Sequence, residues 1–192
     1  MLQSKYLTED DLKDFGFKSL GKNVRISSDA RIYGQENISI GNNVRIDDFV
    51  TLSASRGYIE IRGFNLIAKG CHLSGPFGII MEEFSGIAAF NVYYSGSDDF
   101  SGDYLTGQAI PQEYTKQRGG LIRLGRHVNT GSNVTILGPA FIGEGSNVGA
   151  MSLVNKDLDP WGMYIGIPAR RLKDRKQNLL ELEKKFLATY KL

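Results

Sequence analysis

The chain has 192 residues, and its 23 basic and 21 acidic side chains leave a formal net charge of +2, too balanced for nucleic acid to be an expected partner. Its single cysteine, Cys71, excludes an intrachain disulfide framework and a cysteine zinc cluster. The first residues, MLQSKYLTEDDLKDF, lack a signal pattern, and no apolar run approaches the roughly 18 residues of a membrane span, so we expect a cytoplasmic protein with no membrane insertion.

The N-terminal segment, residues 1–19, is expected to form a cap that contains a short helix. Asp11 follows Thr8 at the spacing of a capping box. The helix is predicted to run through Phe15 and to end at Gly16, because glycine tolerates the backbone conformation that ends a helix.

From Leu20 onward, aliphatic residues recur at every sixth position, with a few interruptions. Of the 18 residues at these anchor positions, 15 are Ile, Leu or Val. Neither a helix nor an alternating strand has this period. The anchors are Leu20, Ile26, Ile32, Ile40, Ile46, Leu52, Ile61, Ile67, Leu73, Met81, Ile87, Tyr93, Leu124, Thr130, Ile136, Ile142, Val148 and Val154.

A short strand followed by a tight corner gives a period of six, and three such sides make one triangular coil. We therefore predict that residues 20–173 form an all-β solenoid, a parallel β-helix of about six coils with its anchors stacked in one apolar interior. The chain has 23 glycines, many of them directly after an anchor. We interpret them as corner residues that relieve the backbone at positive φ.

Each interruption of the six-residue spacing follows the third anchor of a coil, at Ile32, Leu52, Leu73 and Tyr93. The insertions are therefore predicted to leave from one corner of the prism. The longest insertion is a large loop over residues 94–123. It is rich in aromatic and aliphatic residues, so we expect it to pack on a surface.

The C-terminal segment, residues 174–192, is predicted to form a helix. Leu179, Leu182, Phe186 and Tyr190 recur there at helical spacing. This helix is expected to pack against the last coil or against a neighbouring subunit.

The stretch LGRHVNTGSNVTILGPAFIGEGSNVGAMSLVNKDLDPWGMYIGIPARRLK, residues 124–173, resembles the last coils and exit segment of the hexapeptide-repeat acyltransferases. The resemblance covers roughly residues 20–173 and implies left-handed coiling, a homotrimer with active sites between subunits, and acetyl-CoA as cosubstrate. The segments SGSDDFSGDYLT (95–106) and RKQNLLELEKKF are similar to members that act in bacterial surface polysaccharide synthesis, such as that of lipopolysaccharide. This implies N-acetylation of a nucleotide-linked amino (dideoxy) sugar, by direct attack on the thioester with general-base help.

The root of the large loop carries the candidate bases. In sugar O-acetyltransferases of this family a histidine stands there, and this chain has Ser97, followed by Asp98 and Asp99. A carboxylate suffices for an amine, whose proton needs less help than that of a hydroxyl, so Asp98 is the first candidate and Asp99 the second. The alternative is a solvated turn.

Other polar residues near the loop are candidates for catalysis or substrate binding. His127, predicted at an exposed corner just after the loop, is a third candidate catalytic residue, with a surface histidine as the alternative. Tyr94, Ser97 and His72 are candidate substrate-binding residues, and His72 is alternatively structural.

The resemblance also implies a coenzyme A site. The backbone amides of Ser132 and Ala150 match positions that contact the thioester and the pantetheine arm, and Gly131 and Gly149 beside them permit close approach. Basic residues of the exit segment suit phosphate, although they are alternatively solvated. These are Lys156, Arg170, Arg171 and Lys173, and no metal site is expected.

Two other functions remain open at this point, and a third is excluded by the histidine count. The nearest is O-acetylation of a sugar or glycan. A zinc carbonic anhydrase also uses this coil, but it needs three histidines where the chain has two. A purely architectural β-helix predicts no cosubstrate and gives no reason for the apolar large loop.

Overall fold

A ladder of short strands makes up most of the structure, a computed structural model that describes residues 5–191. Residues 1–4 and 192, at the outer ends of the two terminal segments, lie outside the described residues. Helix α1 spans Glu9–Asp14, and its N-terminus has the predicted capping box between Thr8 and Asp11. Phe15 caps its C-terminus and Gly16 follows at a φ of 85°, so the helix ends where the sequence predicts. Helix α2 spans Leu179–Thr189.

Twenty strands and two single-turn 3-10 helices, Gln35–Asn37 and Gln112–Tyr114, complete the elements of the described residues. The first ten strands are β1 (Ser19–Leu20), β2 (Arg25–Ile26), β3 (Arg31–Tyr33), β4 (Ile38–Ile46), β5 (Thr51–Ser53), β6 (Ile59–Ile67), β7 (His72–Ser74), β8 (Ile79–Met81), β9 (Gly86–Ile87) and β10 (Val92–Tyr94). The others are β11 (Gly96–Asp98), β12 (Gln117–Gly119), β13 (Ile122–Leu124), β14 (Asn129–Thr130), β15 (Thr135–Leu137), β16 (Ala140–Ile142), β17 (Asn147–Val148), β18 (Leu153–Val154), β19 (Gly162–Ile165) and β20 (Arg170–Asp174).

Most of these strands stack in parallel as three walls of a solenoid with about seven turns. Wall one contains β1, β8, β13, β16 and the first halves of β4 and β6. Wall two contains β2, β9, β14, β17, β19 and the second halves of β4 and β6. Wall three contains β3, β5, β7, β10, β15 and β18. The predicted all-β solenoid is confirmed, and the parallel walls are consistent with a left-handed β-helix. Leu158 and β19 begin a turn beyond the six expected.

The predicted anchors fill the interior. All are buried except Leu20 and Ile32, which lie in the first coil and pack partly exposed against the core. Two polar anchors compensate each other, since the buried Tyr93 hydroxyl lies 2.7 Å from Thr130 Oγ1. A small residue in one coil thus accommodates a large one in its neighbour.

The corners differ from the sequence prediction. We call the turn from wall one to wall two corner A, that from wall two to wall three corner B, and that from wall three to wall one corner C. The glycines after the anchors do not adopt positive φ. A Cβ on Gly131 would lie 2.6 Å from Ala150 N, so these glycines instead permit close stacking of the next coil. Larger residues take the positive φ, namely Asn23, Asn43, Phe64, Phe84, His127 and Trp161 at corner A, and Phe49, Phe90, Asn133 and Met151 at corner B.

Corner C carries the insertions, as predicted. The large loop leaves wall three after β10 and returns to wall one at β13. Its strands β11 and β12 pair antiparallel, apart from the three walls.

Helix α2 packs along corner A against earlier coils, whereas the sequence predicted the last coil or a neighbouring subunit. The Phe186 ring meets Phe64 edge-on at 5.5 Å, and Phe64 stacks on Phe84 at 4.6 Å. At the end of the helix, the Tyr190 hydroxyl donates to Asn43 Oδ1 at 2.5 Å. Neither α1 nor α2, the α-helices of residues 5–191, is long and apolar enough to cross a membrane.

Candidate active site

A cavity of about 790 Å³, here called the loop cavity, lies between wall three and the large loop. Its floor is an in-register column at the corner C end of wall three, formed by Ser53, Ser74, Tyr94 and Leu137. This volume is typical of a site for a small molecule. The rest of the lining is Ser55, Arg56, Pro76, Gly96, Ser97, Asp98, Phe100, Gln108, Gln117 and Gly138.

The base of the large loop is a short hairpin. Strand β11 pairs with β12, with Asp98 opposite Gln117. One residue further, the Asp99 amide donates to the Lys116 carbonyl at 2.8 Å. This pairing fixes the direction in which the side chains of β11 leave the backbone.

Asp99 holds this hairpin together. Its side chain is 1% exposed, accepts from the Ser101 amide at 2.8 Å, and pairs with Arg118 Nε at 2.6 Å. The hydrogen bond from Ser101 and the Arg118 charge lower the pKa of Asp99 to about 2. A carboxylate this acidic and this occupied is a poor proton acceptor, so the geometry favours a structural role for the second candidate base.

Asp98 faces the loop cavity. Its Oδ2 accepts from the Gly107 amide at 2.9 Å, which orients the carboxylate, and Oδ1 has no hydrogen bond to residues 5–191. Asp98 also lines a smaller cavity of about 100 Å³ beneath the loop. Of the three candidate catalytic residues, Asp98 is the one that lines the loop cavity with an oxygen free to accept a proton.

The candidate substrate-binding residues lie close to one another. Tyr94 and Ser97 line the loop cavity. His72 lies on wall three, with its ring 5.5 Å from that of Tyr94, and burial lowers its pKa. A neutral imidazole beside an aromatic ring can contact a sugar or base but carries no charge for a phosphate.

His127 is at corner A, away from the loop cavity, and it is buried rather than exposed as the sequence predicted. Its ring stacks on Phe84 at 5.3 Å, and its Nε2 lies 2.7 Å from Glu183 Oε2 of α2. Burial and the nearby charges of Arg126 and Arg175 lower the pKa of His127 to about 4. The ring is therefore neutral at pH 7, and its Nε2 hydrogen can donate to Glu183.

The residues expected to contact the thioester lie at corner B. The amides of Ser132 and Ala150 donate to no acceptor within residues 5–191, and both residues are at least partly exposed. The neighbouring Gly131 and Gly149 are also required by packing, because a side chain at either position would collide with the next coil. A Cβ on Gly149 would lie 2.8 Å from the Ile165 side chain. The two free amides fit the expected role as donors to a thioester oxygen.

The basic candidates of the exit segment are exposed but not equivalent. Arg171 donates to Asp174 at 2.9 Å and to the Tyr164 hydroxyl at 2.8 Å, so its guanidinium is partly occupied. Arg170 makes one long bond, to the Ala169 carbonyl at 3.4 Å. Lys156 precedes Asp157, whose carboxylate caps the Phe141 amide, and Lys173 lies on β20. Arg171 is therefore the member of this group least able to contact a phosphate.

Sequence reasoning missed several residues that line the loop cavity together with Asp98, above all Arg56, Gln108 and Gln117. A signal for Arg56 was present. Arg56 lies in the insertion that follows the anchor Leu52, and this insertion leaves the same corner of the solenoid as the large loop. The two insertions were therefore expected to be neighbours. The link from His127 to Glu183 had no such signal, since nothing in the repeat says which corner receives the helix.

Within the described residues, no group of three or more His, Cys, Asp or Glu side chains is arranged to hold a metal ion.

Comparisons with known proteins place the chain among acyltransferases over nearly its whole length. It is 40% identical over 181 residues to the dTDP-4-amino-4,6-dideoxy-D-glucose acyltransferase of Escherichia coli, which covers 94% of each chain. It is also similar to the structure of an AntD mutant from Bacillus cereus in which one serine is replaced by alanine. The two chains are 43% identical, with a TM-score of 0.94 over 98% of this chain and 100% of the other. AntD is described as an N-acyltransferase, and that structure holds dTDP-4-amino-4,6-dideoxyglucose and coenzyme A.

Two further comparisons complete these findings. A second structure of AntD holds dTDP and 3-hydroxybutyryl-CoA, and it is 42% identical with a TM-score of 0.93 over 97% of this chain and 98% of that one. A hexapeptide-repeat acetyltransferase from Vibrio cholerae, 22% identical with a TM-score of 0.58 over 88% of this chain and 84% of that one, shares the fold. No protein-family model matches the chain.

Proposed function

Since the chain belongs to the hexapeptide-repeat acyltransferase family of dTDP-amino-sugar N-acyltransferases, we propose that it transfers an acyl group from acyl-CoA to the amine of a nucleotide-linked 4-amino-4,6-dideoxy sugar. The observation that carries the proposal is the likeness to AntD, at a TM-score of 0.94 over 98% of the chain, in a complex with that amino sugar and coenzyme A. The loop cavity, which Asp98 lines, is the proposed binding site for the amino sugar.

Asp98 is proposed as the acceptor of the amine proton. Bound acyl-CoA supplies an activated thioester, and the amine must reach it in neutral form. A carboxylate fixed by the Gly107 amide, with its second oxygen free, can accept a hydrogen bond from the amine, orient its lone pair and take its proton. As the carbon–nitrogen bond forms, the carbon–sulfur bond of the thioester breaks and coenzyme A leaves as a thiolate. The proton taken from the amine converts that thiolate to the free thiol. Asp99 and Arg118 would keep this carboxylate in place.

Ser132 and Ala150 are proposed as donors to the thioester oxygen, on which negative charge grows as the amine attacks. Within one chain they stand at corner B and Asp98 stands at corner C, at opposite ends of wall three. Three-residue strands roughly 10 Å long separate the two corners. A site that needs both therefore supports an assembly of more than one subunit. In the trimer that the resemblance implies, corner B of one subunit would face the loop cavity of the next.

Three expectations from the sequence remain proposals. These are the homotrimer, the cytoplasmic location and the role in surface polysaccharide synthesis. The acyl group is also open to experiment, because the sequence resemblance implies acetyl whereas one AntD structure holds 3-hydroxybutyryl-CoA.

Product analysis tests the proposed function. The purified chain is incubated with acetyl-CoA or 3-hydroxybutyryl-CoA and with dTDP-4-amino-4,6-dideoxyglucose, and the products are analysed by mass spectrometry beside thiol release. The matched control is the same nucleotide sugar with a hydroxyl at carbon 4. We expect one acyl group on the amine and no product from the hydroxyl sugar. Acylation of the hydroxyl sugar alone would instead identify an O-acyltransferase.

A further inference from the structure

Arg56 lies on a short, well-supported turn at the edge of the loop cavity. The turn joins β5 to β6 at corner C, and the Gly57 amide donates to the Ala54 carbonyl at 3.2 Å. Gly57 packs so closely on the next coil that a Cβ there would lie 2.1 Å from the Gly75 carbonyl oxygen. The backbone that carries Arg56 is therefore fixed by the solenoid.

The Arg56 guanidinium has no partner among the described residues. It is exposed, lines both the loop cavity and the smaller cavity beneath the loop, and makes no hydrogen bond or ion pair within residues 5–191. By contrast, Arg118, whose β12 neighbour Gln117 also lines the loop cavity, is paired with the buried Asp99. Among the described residues that line the loop cavity, Arg56 is the one cation and Asp98 the one anion.

We infer that Arg56 binds the diphosphate of the nucleotide-linked amino sugar, and that it and Asp98 together orient the sugar in the loop cavity. This inference rests on the proposed function. Such a substrate carries a diphosphate on one side of a single sugar ring and an amine on the other. The two charged residues match that arrangement, because a guanidinium binds phosphate oxygens in a bidentate manner and a carboxylate accepts from an amine.

The same chemistry could recognise a phosphate of coenzyme A. However, the amides proposed for coenzyme A lie at corner B, and the proposed cations lie on β20 or, for Lys156, just after β18. None of these residues is in the lining of the loop cavity. The chain therefore has separate cations for its two phosphate-bearing ligands. Arg56 should affect one ligand and leave the other unchanged.

The test measures binding of dTDP and of coenzyme A to the wild-type chain, Arg56→Ala and Arg56→Gln by isothermal titration calorimetry. Arg25→Ala is the matched control, because Arg25 is an exposed arginine of β2 outside the loop cavity. Losing charge-assisted hydrogen bonds should weaken dTDP binding about 10- to 100-fold in both Arg56 variants. Coenzyme A binding and the unfolding temperature should not change, and the Arg25 variant should match the wild type.

Several results would overturn the inference. Wild-type dTDP affinity in both Arg56 variants would remove it, and so would an equal loss in Arg25→Ala. Weakened binding of coenzyme A alone would assign Arg56 to the other ligand, and a lower unfolding temperature in both variants would assign it a structural role. If the wild-type chain acylates the amino sugar, such results remove only the role of Arg56. If the wild-type chain neither binds dTDP nor acylates the sugar, the proposed function fails first and the inference fails with it.

Discussion

The charged residues at corner A and those in the loop cavity differ in whether the chain itself provides their partners. At corner A, the carboxylate of Glu183 on α2 is hydrogen-bonded to both Arg126 and His127. Arg126 also forms an ion pair with Glu83 at 2.9 Å. In the loop cavity, Arg56 has no partner within residues 5–191, and Asp98 is held by one backbone amide.

The difference separates structural polar groups from those available for chemistry. Burying a charge is costly unless it is paired, so the corner A cluster is satisfied within the chain and fastens a helix to the solenoid. The cavity charges remain accessible to a ligand. Among the three candidate catalytic residues, this contrast favours Asp98 over His127 and Asp99.

The strongest test of the contrast is Asp98→Asn. The amide keeps the size of the side chain and can still accept from Gly107, but it cannot take a proton. We expect turnover to fall at least about 100-fold, the scale of one general base, with the unfolding temperature and coenzyme A binding unchanged. Asp103→Asn, at an exposed residue of the same loop, is the control and should retain wild-type turnover. Near wild-type turnover in Asp98→Asn would remove the base from this position.

A matched pair of phenylalanines tests the structural side of the comparison. Phe84 and Phe90 have similar positive φ angles, 58° and 61°, but Phe84 is enclosed by Phe64, His127 and α2 whereas Phe90 is 50% exposed. Phe84→Ala should lower the free energy of unfolding by about 2 kcal/mol, and Phe90→Ala by less than about 1 kcal/mol. Chemical denaturation measures both. Equal losses would contradict the idea that the covered corner provides more of the stability.

The pH dependence of stability tests the role of His127. Its pKa falls from 6.5 to about 4 on folding, so the folded state favours the neutral ring. The stability this provides is present above pH 6.5 and is lost as the pH falls toward 4. His127→Gln should flatten the unfolding free energy across this range while keeping turnover at pH 7.5 within about threefold of wild type. A much larger loss of turnover with unchanged stability would return His127 to the catalytic candidates.

The smallest expected effect concerns the exit segment. Arg170 is exposed and only weakly bonded, whereas Arg171 is bonded to Asp174 and Tyr164. Arg170→Ala should raise the KM for acyl-CoA about three- to tenfold and leave the KM for the amino sugar unchanged, because one exposed phosphate contact is weak. Steady-state kinetics with each substrate varied in turn makes the measurement. An unchanged KM for acyl-CoA would exclude Arg170 from that site.

The solenoid was predictable because the repeat itself encodes it. The anchors from Ile26 to Val154 identify the side chains that face the interior. The interruptions of their spacing, after Ile32, Leu52, Leu73 and Tyr93, all lie at one corner of the solenoid. These are local patterns with a fixed period, and such patterns determine which side chains face inward.

The site was harder to predict, because its contacts join residues far apart in the chain. Asp98 was found at the root of the loop, but its neighbour Asp99 is neutralised by Arg118, nineteen residues away. His127 was predicted to be exposed, but it is buried beside Glu183, which lies 56 residues further along the chain. No period in the sequence reports such pairs, and whether a charge is paired decides its role.

The most direct measurement is a crystal structure of the chain with dTDP-4-amino-4,6-dideoxyglucose and coenzyme A. We expect the sugar in the loop cavity, with its amine at hydrogen-bond distance from Asp98 and its diphosphate against Arg56. We also expect the thioester end of coenzyme A at the amides of Ser132 and Ala150. A nucleotide sugar bound beside His127 at corner A, or in the loop cavity with its amine turned away from Asp98, would contradict the account.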